Sequence, residues 1–587
     1  MGRRVDFNTP ERRRPRRDSF DARPRQVAQW LDGLPRANAG ETARRIFKVL
    51  TETNGLRLRC RHRVNLLENL REPVQFVLEQ MQRHFVGEPA PLPPRKRQIA
   101  VAAHKLTLAM ATGYKIAAED LVAENILFLD RRHLAVLLHR AVTYLTRALL
   151  IAYQTYTEFP QQPWSDLYRL YRFAESRRLH RVAVADEQHQ YIVKTTVEQE
   201  FARALLLYLS SPYQLRQGEV GKVHVNLERW LSAIRLQPTA GEGDKGFIVN
   251  LAGDAPPQPI HMRGDDCNPA DCRLLSTAGV VASLRKELER DAGRVSSTLI
   301  TMGMEEAALP RDLLHRLIQA WETPAVERPL RTELNEPVKA AVGLTAVHHF
   351  LLQQQPGAET ENALEDLING RARFDTRAER EQEVDVWELA YAPRGPVTGI
   401  EVAGEKPEPA VPECRLGDWV VVNESAGGLQ LACAGQCATR VQVGELMAVR
   451  RETAAGTRWP VGMVRWMKAG DDGGVEVGLL LLAPAAVAVG VTMAVQRQDG
   501  GGRRFDRALL VPASVANRHQ AALITVPYPY RPGAVVTVVV QGQETRAKLA
   551  REVDNTGLCA IFHFTPLNRP ARTGGPPDEF DEVWNLL

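Results

Sequence analysis

The hydrophobic period of this chain shifts from helical to strand-like late in its length, and that shift limits what the chain can fold into. In the first part, apolar residues recur at three- and four-residue spacing, the mark of helices with one buried face. Val74, Val77, Leu78, Met81 and Phe85 share such a face, and Leu134, Leu137, Leu138, Ala141, Leu145 and Leu149 make another. Phe201 to Leu209 and Leu313, Leu314, Leu317, Ile318 and Trp321 continue the pattern. After about residue 413 the pattern becomes that of strands. Trp419 to Val422, Leu429 to Cys433, Gly444 to Arg450, Trp459 to Trp466 and Val475 to Leu479 read as strands. So do Ala521 to Val526, Val535 to Val540 and Cys559 to Phe564. The expected fold class is multidomain α+β, with an N-terminal all-α region followed by an antiparallel β-barrel and a further β segment.

The expected domains follow from these shifts. Residues 1–25 contain nine arginines and read as a disordered, solvated tail. Residues 26–370 read as helical, with a β excursion near 236–275 where Gly and Pro interrupt the pattern. Residues 371–412 read as a linker, 413–490 as a β-barrel, 491–570 as a second β domain or the completion of the first, and 571–587 as a tail. Val477 to Val495 is a run without charged residues, long enough to span a bilayer. Pro484 and Gly490 interrupt it, and two strands meeting at Pro484 explain it without a membrane span. His348 and His349 point about 100° apart on a helix and read as ordinary polar positions.

The most specific local pattern is Asn423-Glu424-Ser425-Ala426-Gly427-Gly428, lying between two strands. Asn423 and Ser425 present an amide and a hydroxyl side by side. Gly428 permits a positive φ or a close approach by a ligand. Val464-Arg465-Trp466 and Val477-Gly478-Leu479 follow in order. Together these segments resemble the PilZ domain, a bacterial receptor module for cyclic di-GMP, over roughly residues 413–484. The resemblance implies that Asn423 and Ser425 hydrogen-bond the dinucleotide and that Gly428 shapes the turn. It also implies an Arg-x-x-x-Arg strap that clamps phosphate and guanine. Arg373 and Arg377 have that spacing, and so do Arg503 and Arg507 after the turn. The segment around Arg373 and Arg377 also reads as a solvated, charge-mixed helix.

Composition supports a folded, non-enzymatic reading. The chain has 587 residues, a net charge of +5, 44% hydrophobic and 25% charged residues. That charge is small for the size, and nucleic acid is not an expected partner. No phosphate-binding loop, nucleophile elbow, zinc-protease or dinucleotide fingerprint is present. The seven cysteines include no C-x-x-C pair, and no secretory signal precedes them. A reducing cytoplasm, no cofactor and no metal are the expectations.

Cyclic di-GMP and an unidentified protein partner are the expected partners. The resemblance further implies control of motility, biofilm or exopolysaccharide. Two other readings stay open. One is a degenerate domain that binds no nucleotide and serves as an adaptor. The other is an RNA- or membrane-associated protein acting through the Arg-rich N-terminus.

Overall fold

A computed structural model describes residues 5–124, 130–158, 164–238, 245–262, 268–292, 309–322, 331–354, 414–435, 437, 439–453, 456–470, 472–493, 505–512, 520–540 and 543–567. The chain divides into two compact units. One comprises residues 1–330 with 434–436 and 466–477; the other comprises 331–433, 437–465 and 478–587.

The first unit is built on α1 (Pro24–Asp32), α2 (Ala39–Asn54), α3 (Cys60–Gln82), α4 (Pro94–Glu124), α5 (Arg131–Gln154), α6 (Trp164–Ser176), α7 (Val197–Leu209) and α8 (Glu219–Asn226). Helices α9 (Ala278–Ala292) and α10 (Arg311–Trp321) complete it. Several starts are fixed by side chains that accept otherwise unpaired N–H groups. Asn38 accepts from Glu41 at 2.9 Å. Asp130 accepts from Arg132 and His133, and Thr196 with Gln199 forms a capping box. Helix α5 is the central element, buried around most of its circumference. Among the described residues it alone is long and apolar enough to cross a membrane, and 89% of that apolar window is buried inside the fold. Tyr114 of α4 stacks on Tyr144 of α5 with centroids 5.8 Å apart.

Two small sheets accompany the helices. Strands β1 (Val184–Ala185) and β2 (Lys194–Thr195) form a short ladder. Strands β3 (Arg235–Pro238), β4 (Phe247–Asn250), β5 (Gln258–Pro259) and β6 (Cys272–Ser276) form a sheet in the order β3-β6-β4-β5. These four match the β excursion read from the sequence.

The expected solvated tail is a correction. From Val5 onward the N-terminus packs into the helical unit. Phe7 is 2% exposed, meets Phe173 edge-on, and its N–H donates to Glu119 at 2.7 Å. Thr9 donates to the same carboxylate, and Arg12 pairs with Glu119 and Asp120. Arg12 is counter-charged by α4, while Arg13, Arg14, Arg16 and Arg17 stay exposed.

The second unit holds two closed barrels. The first uses β7 (Thr332–Val342), β8 (Gly417–Ser425), β9 (Gly428–Cys433), β10 (Leu446–Thr453), β11 (Gly456–Arg458), β12 (Val461–Ala469) and β13 (Val475–Ala483). Their order is β11-β10-β12-β13-β9-β8-β7, and β10 pairs with β7 to close the ring. The second uses β14 (Val487–Met493), β15 (Asp506–Val511), β16 (Ala522–Thr525), β17 (Val535–Val540), β18 (Gln543–Asn555) and β19 (Ala560–Pro566). It closes in the order β14-β15-β16-β19-β18-β17. The uncharged run therefore divides between β13 and β14, which belong to different barrels.

A short helix α11 (Leu344–Leu352) follows β7. Its Val347 and Leu351 share one apolar cluster with Ala448 and Val461 of the first barrel and Leu509 and Ile524 of the second. His348 is buried there and donates from Nε2 to the Val489 carbonyl at 3.2 Å. It is a packed core position rather than an ordinary polar one. The first barrel thus begins at Thr332 rather than at 413. Strand β7 escapes a period count because its first half faces solvent, and only Val338, Ala340 and Ala341 are buried.

Candidate ligand-binding site

The turn after β8 is built by register. Ser425 pairs with Gly428, leaving Ala426 and Gly427 at the tip. A bulge between Val421 and Asn423 resets the alternation just before the turn. Directly paired residues of antiparallel strands share a face of the sheet. Glu424 pairs with Leu429, which is 3% exposed, so Glu424 lies on the inward face at the barrel mouth. Asn423, paired with Gln430, lies on the outer face together with Ser425.

The two residues singled out by sequence lie on one face of β8. Asn423 Nδ2 donates to Gln430 Oε1 at 2.8 Å, which leaves its own carbonyl oxygen as an acceptor. Ser425 Oγ donates to the Gly428 carbonyl at 3.3 Å and retains its lone pairs.

Gly428 corrects one expectation. It is not among the positive-φ glycines. A Cβ there would lie 2.5 Å from the Leu479 carbonyl oxygen of β13, so the close approach that requires glycine is made by a neighbouring strand. The tip is fixed further by the Leu481 N–H, which donates to the Gly427 carbonyl at 3.0 Å.

Arginines reach this turn from places the sequence did not suggest. Strand β7 begins beside it, with Thr332 opposite Glu424 and Glu333 opposite Asn423. Exposed Arg331 immediately precedes Thr332, the first residue of that ladder. On the inward face, Arg451 of β10 makes a two-pronged contact with Glu424, Nη1 to Oε1 at 3.1 Å and Nη2 to Oε2 at 2.9 Å. The same Nη2 reaches Glu336 of β7 at 3.3 Å. Arg458 of β11 pairs with Arg451 across the β10–β11 hairpin.

Glu424, Ala426, Gly427, Arg451, Arg458 and Pro460, with the Leu481–Pro484 end of β13, line a cavity of about 490 Å³. That size is within the range of small-molecule sites. The cavity gathers Arg451, Arg458 and Glu424 but not Asn423 or Ser425, which lie on the other face of β8.

Arg373 and Arg377 lie outside the described residues, as does Arg503. Arg507 sits in β15, paired with Gly490 in the second barrel. Arg331 was missed because β7 was read as part of the helical region. Arg451 and Arg458 were missed because only the barrel register brings them to the turn.

A closed antiparallel barrel with an Asn-x-Ser-x-x-Gly turn flanked by arginines defines a PilZ-type module. Comparison with known proteins places the chain more narrowly. Residues 25–240 match the N-terminal domain of the cyclic-di-GMP receptor FimW, residues 246–487 its middle PilZ domain, and residues 491–567 its C-terminal β-barrel domain. The cyclic-di-GMP receptor FimW of Pseudomonas aeruginosa is 30% identical over 97% of this chain and 96% of that protein. The chain belongs to the FimW family. No solved structure matches it.

Proposed function

We propose that this chain is a receptor for cyclic di-GMP and binds the dinucleotide at the β8–β9 turn of its first barrel. The observation that carries this reading is the placement of Asn423 and Ser425 on one face of that turn, beside the start of β7, which exposed Arg331 immediately precedes. The ligand has two phosphates and two guanine edges. A guanidinium suits the phosphate oxygens or the guanine O6 and N7. The Asn423 carbonyl and the Ser425 hydroxyl suit base N–H donors. Similarity to a protein named as a cyclic-di-GMP receptor supports the reading. Transmission to a protein partner that controls motility, biofilm or exopolysaccharide is the further part of the proposal. A cytoplasmic location is part of the same proposal, and the disulfide-bonded Cys272 counts against it.

Calorimetric titration of the full chain with cyclic di-GMP tests the reading. Arg331→Ala should weaken binding by about 1.5–3 kcal/mol, the range for a charged hydrogen bond. Ser425→Ala should cost roughly 1 kcal/mol. Arg373→Ala and Arg377→Ala belong in the same series as the other candidate strap. If all three arginine variants bind like the wild type, the strap lies elsewhere, and Arg503 with Arg507 is the next candidate. A wild type that gives no heat at high ligand removes the receptor reading. The adaptor reading then takes its place, favoured by one observation: two carboxylates already neutralise Arg451.

A further inference from the structure

Glu424 stands between Asn423 and Ser425 in the chain but faces the other way, into the barrel mouth, where Arg451 holds it by both oxygens. A fork-to-fork contact of this kind restricts direction as well as distance, which a single hydrogen bond does not. Through Glu336 the same guanidinium also ties β7, the strand that Arg331 immediately precedes. One side chain on β10 therefore fixes both strands that hold or adjoin the ligand groups. Arg451 itself is 19% exposed and sits on the inward side of β8.

We propose that Arg451 is a positioning residue for the dinucleotide site. By gripping Glu424 and Glu336 it holds the β8–β9 turn and the entry of β7 in the spacing that presents Asn423, Ser425 and Arg331, without touching the ligand. The proposal rests on the receptor reading. A preorganised turn binds more tightly because its ordering cost is met before the ligand arrives. The competing arrangement is direct contact. In that case a ligand phosphate would enter the cavity, displace Glu424 and bind Arg451 alongside Arg458.

The sign of one substitution separates the two. Glu424→Gln removes a negative charge near an anionic ligand and keeps the side-chain shape. If Arg451 contacts phosphate, that change removes a competitor and tightens binding. If Arg451 acts through Glu424, the clamp is lost and binding weakens although a repelling charge has gone.

The experiment is titration of the full chain with cyclic di-GMP for the wild type, Glu424→Gln, Arg451→Gln and the double variant, with thermal melts confirming that each is folded. Each single variant should bind on the order of tenfold more weakly, and the double variant should be no weaker than the worse single, as expected for residues acting as one unit. Arg451→Lys keeps the charge but loses the fork, and should recover binding only in part. Tighter binding by Glu424→Gln, or affinity equal to wild type in a folded protein, overturns the proposal while leaving the receptor reading in place. Absence of binding by the wild type overturns both.

Discussion

The helical unit and the first barrel both use arginine–carboxylate contacts, but at very different depths. In the helical unit Asp186 is fully buried and takes Arg71 of α3 and Arg140 of α5 together. Its second set of partners is backbone: Gln188 N–H donates to it at 3.0 Å, while Arg140 also donates to the Ala185 carbonyl at 2.9 Å. Nearby, Arg203 of α7 reaches Glu228 at 2.9 Å and the His224 carbonyl at 2.8 Å, all buried. Arg147 lies over the Tyr144 ring at 5.4 Å. In the barrel, Arg451, Glu424 and Glu336 remain 19%, 34% and 43% exposed. Buried charges cannot fall back on water if a partner is lost, whereas half-exposed ones can. The first network fixes which helices pack together. The second fixes a surface turn whose charges stay partly in contact with water.

The largest expected effect tests the buried side of this contrast. Asp186→Ala leaves Arg71 and Arg140 with only the more distant Glu68, at 3.7 and 3.8 Å, and should cost about 3–5 kcal/mol. The melting transition of the helical unit should drop accordingly, and Asp186→Asn should recover little because the charge is still missing. A loss below about 1 kcal/mol, the range of a surface pair, would erase the distinction between the two networks.

The barrel should break by shape before it breaks by charge. Gly428→Val places a branched side chain against the Leu479 carbonyl, 2.5 Å from the new Cβ. Overpacking of this kind costs about 1–3 kcal/mol. Hydrogen exchange in β9 and β13 should accelerate while the helices stay protected. If Gly428→Val melts like the wild type, the strands can separate without penalty, and the turn is less fixed than its contacts imply.

How much of this was legible beforehand depends on which residues carry the signal. Strands β8, β9, β12, β13, β16, β17 and β19 were readable because their apolar residues alternate or run in blocks. Helices α3, α5, α7 and α10 were readable by their faces. Strand β7 was not, because Thr332 to Asn335 are exposed and look like any polar segment. The N-terminus misled for the opposite reason. Its arginine density suggested a solvated tail, yet Phe7 and Thr9 anchor it on Glu119, a contact spanning more than a hundred residues. At the site, Asn423 and Ser425 were legible as a local motif. Arg331, Arg451 and Arg458 became visible only through strand pairing, since spacing along the chain says nothing about which strands become neighbours around a barrel.

The smallest effect is a graded one and compares the two units under acid. Burial pushes His139 and His104 of the helical unit down to about 4, and it is also the largest cause that holds His224 well below its ordinary value. In the second unit, His348 is pushed down to about 4 by burial and then by Arg507. These histidines are neutral when folded and titrate near 6.5 when unfolded. Below about pH 6.5 the unfolded chain therefore binds more protons, and stability falls with pH until the folded pKa is reached near 4. Asp186 adds a second step. Burial raises its pKa, but Arg140 and Arg71 outweigh that and hold it below the ordinary 3.8, so its contribution persists until the pH falls below that value. Among the described residues His62 of the helical unit and His349 of the second unit are lowered by burial as well, so with four lowered histidines against two the helical unit should lose stability more steeply between pH 6.5 and 4 than the barrels. Peptide-resolved hydrogen exchange across that range should show α5 and α7 opening before β16 and β19. Barrel strands that open first, or a helical stability independent of pH over this window, would show that the buried histidines are compensated by protonation elsewhere in the folded unit.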